Sequence, residues 1–124
     1  MHTVKTDYVL VCDSSDVFVL RDLYGIEKKF QEMNCGAVFN CEKLIWPFDL
    51  PQSIIDFESR INPNLRLNAG LWISHIGFAK EILAICSNTP PHKHSEQWYY
   101  KHAYHKLWPH MKVDYNNFLF QGLN

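Results

Sequence analysis

Strands alternating with helices along most of the chain predict an α/β sheet with helices packed on its faces. Three observations carry that expectation. A continuous apolar run, Tyr8-Val9-Leu10-Val11-Cys12, stands between Asp7 and Asp13. Two more short apolar runs, Ala37-Val38-Phe39 and Leu71-Trp72-Ile73, each follow a glycine. Segments with apolar residues at three- and four-residue steps separate and follow these runs, which is the spacing of a helix with one buried face.

In chain order, Tyr8 to Cys12 suits a strand covered on both faces and is placed in the middle of the sheet. From Leu20 the residues Leu23, Tyr24, Phe30 and Met33 mark a helix that ends near Asn34-Cys35-Gly36, with Gly36 as its left-handed cap. Ala37 to Asn40 is a second strand. Between Cys41 and Arg66 the prolines Pro47, Pro51 and Pro63 leave room only for a short helix over Gln52 to Arg60, with Pro51 suited to its first turn. Asn68-Ala69-Gly70 reads as a turn entering the strand Leu71 to Ile73, which feeds a helix marked by Ala79, Ile82, Leu83 and Cys86. Asn88-Thr89-Pro90-Pro91 ends that helix, Glu96 to Leu107 has the length of another, and Lys112 to Phe120 reads as extended around an Asn116-Asn117 turn.

At 124 residues, 47% hydrophobic and 20% charged, the chain is one domain spanning residues 1–124 with enough length to bury a core. A net charge of -1 excludes nucleic-acid binding by bulk charge. No run is long and apolar enough for a membrane span and no signal-peptide pattern opens the chain, so a soluble, unsecreted protein without membrane contact is expected. Cys12, Cys35, Cys41 and Cys86 form no Cys-x-x-Cys pair and read mostly as buried apolar thiols, with a Cys35–Cys41 disulfide across a hairpin left open.

Ligands of α/β sheets bind at the carboxyl ends of strands, so the residues after Cys12, after Phe39 and around Leu67 to Gly70 are the first places to look for chemistry. Asp13 and Asp16, three apart, can converge on one hard cation, Mg²⁺ or Mn²⁺; they can equally make turn and capping hydrogen bonds. Gly70 permits close backbone approach to a ligand and Asn68 offers a donor and an acceptor, although an ordinary turn would also use both. Glu96 and Gln97 open a helix, where an acid is favoured with or without a catalytic task. His92, His94, His102, His105 and His110 form a second constellation, read either as zinc ligands or, with Lys93, Lys101 and Lys106 among them, as a solvated helix face.

Taken in order, Val11-Cys12-Asp13-Ser14-Ser15-Asp16-Val17, Val38-Phe39-Asn40-Cys41-Glu42 with Trp46-Pro47, Leu67-Asn68-Ala69-Gly70, Ser95-Glu96-Gln97 and Phe120-Gln121 resemble one family. It is the glycosyltransferase domain of the procollagen lysyl hydroxylases and their viral and microbial relatives. The resemblance implies a glycosyltransferase A-type fold, a mixed sheet flanked by helices, and transfer of a hexose from a UDP-sugar to a hydroxyl acceptor such as hydroxylysine. By that resemblance Asp13 and Asp16 hold Mn²⁺ (or Mg²⁺) against the diphosphate, Asn68 and Gly70 line the sugar pocket, and Glu96 and Gln97 lie near the transferred sugar, with Glu96 the catalytic acid. Ser95 stands where the family has its first acid, Glu96 where it has Asp, and Ser15 where an aromatic residue is frequent. The family also carries a nucleotide-binding segment before the Asp-x-x-Asp strand and a metal-binding His after the Phe-Gln strand, whereas twelve residues precede Asp13 here and the sequence stops at Asn124. The expectation is therefore a partial domain, incomplete at its N-terminus, that turns over UDP-glucose or UDP-galactose little by itself and associates with a second copy or a companion chain completing the sheet. A non-catalytic interaction module on the same sheet and a small zinc protein are the alternatives.

Overall fold

The computed structural model describes residues 8–12, 23–92 and 95–120. Its elements run β1 (Tyr8–Cys12), α1 (Leu23–Glu32), β2 (Ala37–Glu42), α2 (Gln52–Ile61), β3 (Arg66–His75), α3 (Ile76–Ser87), α4 (Glu96–Leu107) and β4 (Met111–Val113). The four strands form a mixed sheet flanked by helices, in the order β1-β3-β2-β4. β3 runs antiparallel to both neighbours, and β4 lies parallel to β2. The carboxyl ends of β1, β2 and β4 therefore share one end of the sheet with the amino end of β3.

Alternation along each strand sends side chains to two cores. On one face Phe39, Cys41, Leu67 and Trp72 pack with Phe57 of α2, Ala79 and Ile82 of α3, and Ala103 and Tyr104 of α4. Phe39 and Trp72, opposite each other on β2 and β3, stack with ring centroids 4.6 Å apart at 7°. On the other face Val38, Leu71 and Ile73 pack with Phe30 of α1 and with Leu119 and Phe120. β1 serves both faces, Val9 and Val11 reaching the first core and Tyr8 and Leu10 the second. This explains its uninterrupted apolar run. Among the described residues, no helix is long and apolar enough to cross a membrane.

Four expectations change. β1 lies at the margin of the sheet as described rather than at its centre; two-faced cover produces the same apolar run at either place, and the ten-residue β3 takes the central position. The left-handed residue after α1 is Asn34, at φ 51°, not Gly36. Gly36 is required for space instead, since a Cβ there would run into the ring of Phe78. Of the stretch from Lys112 to Phe120, only the start belongs to a strand, β4; beyond it the buried Asp114 carboxylate gathers the amides of Phe118, Leu119 and Phe120 at 2.8–2.9 Å.

The fourth change concerns the cysteines. Cys35, Cys41 and Cys86 are free thiols. Cys35 precedes β2 and Cys41 lies near its end. An extended chain of six residues separates them by about 20 Å, far beyond the span of a disulfide. Their Sγ atoms donate instead to the carbonyls of Ala37 and Asp114.

Candidate functional site

The expected turn at Asn68-Ala69-Gly70 is part of β3, and its special feature is a break in pairing. Phe39 faces Trp72, but the next residue of β2, Asn40, faces Asn68, so Ala69, Gly70 and Leu71 bulge out of the β2 ladder. Such a bulge frees amides that must find other partners, and it re-aims the backbone locally. Gly70 N–H donates to the Asn68 Oδ1 at 2.8 Å, and Ala69 N–H donates to the Gln97 Oε1 at 2.9 Å.

Gln97 is delivered by α4. Ser95 caps that helix, its Oγ accepting from Gln97 N–H at 3.1 Å. The Gln97 Nε2 donates to the Glu42 Oε2 at 2.8 Å and to the Trp46 carbonyl at 3.2 Å. One side chain thus joins the carboxyl end of β2, the loop after it, the β3 bulge and the first turn of α4. Both Nε2 hydrogens are committed within the protein, so Gln97 acts here as a structural tie. Glu96, one residue earlier, is solvent-exposed beside it. Burial pushes the phenol of Tyr100, one turn on, up to about 12, with negative charge at Cys86 and Glu96 adding to the effect.

The loop after β2 carries its own surface. Trp46 and Phe48 meet edge to face at 4.9 Å, Leu44 and Phe48 are largely exposed, and Pro47 between them is buried behind a cis peptide. Cys12 pairs with Leu71 at the edge of the bulge, so β1 also ends here. Asp13 and Asp16, which follow it in sequence, lie outside the described residues, as does Gln121.

Four of the five sequence blocks that carried the resemblance thus contribute described residues to one end of the sheet, and the chain's family match agrees with them. A family model described as the PLOD GT domain, GT standing for glycosyltransferase, matches residues 1–124. The chain belongs to this family. No curated protein matches it.

In this PLOD GT domain, sequence reasoning named Asn68, Gly70, Glu96 and Gln97 and missed what holds them. Glu42 stands out in the sequence only within the Val38–Glu42 block, and its bond to Gln97 spans 55 positions, which no local signal announces. The ion pair between Lys101 of α4 and Glu58 of α2 was equally hidden. Lys101 reads in sequence as one of the solvated helix cations, yet it is fully buried.

Among the described residues, His92 and His102 both pack against Trp98, while His105 lies elsewhere. The His92 Nε2 sits 3.0 and 3.1 Å from the two Asp49 oxygens, and its ring stacks on Trp98 at 4.8 Å. The His102 Nδ1 meets the Trp98 carbonyl at 2.7 Å, and His105 packs against Phe57. Among the described residues, no three His, Cys, Asp or Glu side chains form a group able to hold a metal ion. His94 lies outside them.

Proposed function

We propose that this glycosyltransferase domain transfers a hexose from a UDP-sugar to a hydroxyl acceptor, of hydroxylysine type by its family resemblance. The observation that supports this most is the Gln97 bridge, which gathers Glu42, the Asn68–Gly70 bulge and the start of α4 at the strand ends where α/β sheets bind ligands. In this reading Asn68 and the Gly70 backbone line the sugar pocket, Gln97 shapes it and presents its remaining carbonyl lone pair, and the exposed Glu96 is the acid nearest the transferred sugar.

Asp13 and Asp16 are the proposed ligands of Mn²⁺ or Mg²⁺. Their oxygen-only chemistry fits a hard cation that keeps several waters, and β1, which leads into them, ends beside the bulge. When bound, such an ion stabilises the negative charge that develops on the departing diphosphate. The chain's own residues do the rest: the bulge keeps backbone amides in fixed directions, and the Glu42–Gln97 contact keeps the wall from relaxing as the sugar moves, which is where positioning contributes to rate.

Titration calorimetry with UDP, UDP-glucose and UDP-galactose, with and without Mn²⁺, tests the reading. Metal-dependent nucleotide binding, weak and lost in Asp16→Ala, is the expected result. Transfer by the chain alone should be slight and should rise when a companion chain completes the sheet, and Glu96→Gln should then lower it, read in a transfer assay, at unchanged donor affinity. Unchanged Mn²⁺ binding in the Asp13→Ala/Asp16→Ala variant removes the metal assignment, absence of nucleotide binding favours an interaction module, and tight Zn²⁺ binding favours the histidine constellation.

A further inference from the structure

The buried charges of the first core take no part in the chemistry just proposed. Lys101 and Glu58 are 0% and 1% exposed, and the Lys101 Nζ lies 3.1 Å from the Glu58 Oε1, an ion pair without a well-aligned hydrogen bond. The other carboxylate oxygen of Glu58, Oε2, accepts the N–H of Leu67 at 3.0 Å. For packing alone such a pair is a poor choice, because apolar residues of similar volume often serve a core as well or better.

Its position explains it. Lys101 follows Gln97 by four residues and shares a face of α4 with it. Leu67 precedes Ala69 by two residues on β3. Two polar rungs therefore connect the same helix to the same strand: Gln97 to the Ala69 amide directly, and Lys101 through Glu58 to the Leu67 amide. A slide of α4 by one residue breaks the Gln97–Ala69 and Lys101–Glu58 contacts, orphans the Ala69 amide and leaves two buried charges apart, while Glu58 keeps its own hold on Leu67. Apolar contacts alone would tolerate that slide far better, since they carry no direction. On the reading of the site given above, on which this step rests, we infer that Lys101 and Glu58 are positioning residues: their ion pair sets the register of α4 against the β3 bulge and so holds Gln97 in the wall of the sugar site.

Hydrogen exchange of single amides, followed by NMR on the whole chain without any donor, tests this. Lys101→Met alone leaves a buried carboxylate unpaired and is expected to unfold the protein, so the informative variant is Glu58→Gln/Lys101→Met, which keeps an acceptor for Leu67 and removes both charges. The Ala69 amide should exchange at least tenfold faster in that variant, while those of Ile73 and Val38, in the same sheet, stay as they were. In a Gln97→Ala background the same double change should add nothing at Ala69, because the pair acts through Gln97. Equal acceleration at Ala69 and Ile73, no change at either, or a double variant that fails to fold overturns the inference, since the pair would then serve packing or global stability alone. Failure of the sugar-transfer reading looks different: a chain with normal Ala69 exchange that binds no donor.

Discussion

Gln97 uses its side-chain oxygen for Ala69 and its nitrogen for Glu42 and Trp46, so a change of one atom group should be felt. Gln97→Glu replaces the donor by an oxygen and sets a second carboxylate beside that of Glu42. The loss should be about 2 kcal/mol at neutral pH, the scale of a broken hydrogen bond to a charged group. Two carboxylates sharing a site raise one of their pKa values, so the variant should regain stability relative to wild type as the pH falls and the pair takes up a proton. Urea unfolding at pH 7 and pH 4.5 checks the sign. Thiol chemistry offers a second residue-scale outcome. Burial pushes the Cys86 thiol up to about 11 and raises that of Cys35 as well, the latter partly offset by the Lys112 charge. The thiolate is the nucleophile, so alkylation of both by iodoacetamide at pH 8 should run well below the rate of a free cysteine and accelerate on unfolding in urea. Mass mapping of the labelled peptides reads this directly.

At the scale of elements, two joints decide how the strands leave the sheet. Asp114 follows β4, donates its own N–H to Phe39 and accepts three amides from the segment that carries Phe120 into the second core. Asp114→Ala orphans those amides inside the protein and should cost about 3 kcal/mol or more; Asp114→Asn, with one acceptor oxygen left, should cost less. The other joint is Gly36, where the carbonyl accepts from His75 N–H and Ser74 Oγ and the Cα lies against Phe78 of α3. Gly36→Ala should destabilise by about 1–3 kcal/mol through overpacking, and Phe78→Leu in the same chain should return part of it. Denaturant midpoints of the single and double variants measure both effects.

Across the molecule, the first core is bordered by phenols. Burial pushes Tyr100 and Tyr115 up to about 12, and Tyr104, hydrogen-bonded to Tyr115 at 3.0 Å, further in the same direction. Phenols whose folded pKa lies above the unfolded value hold their neutral form in the fold. The stability this contributes is fully present below the unfolded phenol pKa, about 10, and is lost as the pH rises through the folded values. Far-ultraviolet circular dichroism should stay flat up to about pH 10, and the tyrosinate absorbance of these three residues should appear together with the loss of structure above it. Tyrosinate formation by all three below pH 10 in a folded chain would contradict the burial.

Element existence was legible in the amino-acid sequence because local chemistry decides it. Helical spacing marked α1 and α3, Glu96 and Gln97 marked the start of α4, Pro51 marked that of α2, and apolar runs marked β1, β2 and the Leu71–Ile73 part of β3. The ordered blocks of the resemblance also reached the family. Long-range partners decided the remainder. The place of β1 at the margin, the bulge that turns Asn68–Gly70 from an entry turn into part of a strand, the separation of Cys35 from Cys41, and the burial of Lys101 against Glu58 all depend on residues brought together from distant positions. A bulge leaves no composition of its own, and a lysine that will find a buried carboxylate reads in the chain like one bound for water. Sequence periodicity reports which face of an element is apolar; only the packed sheet decides which polar groups that face must carry inside.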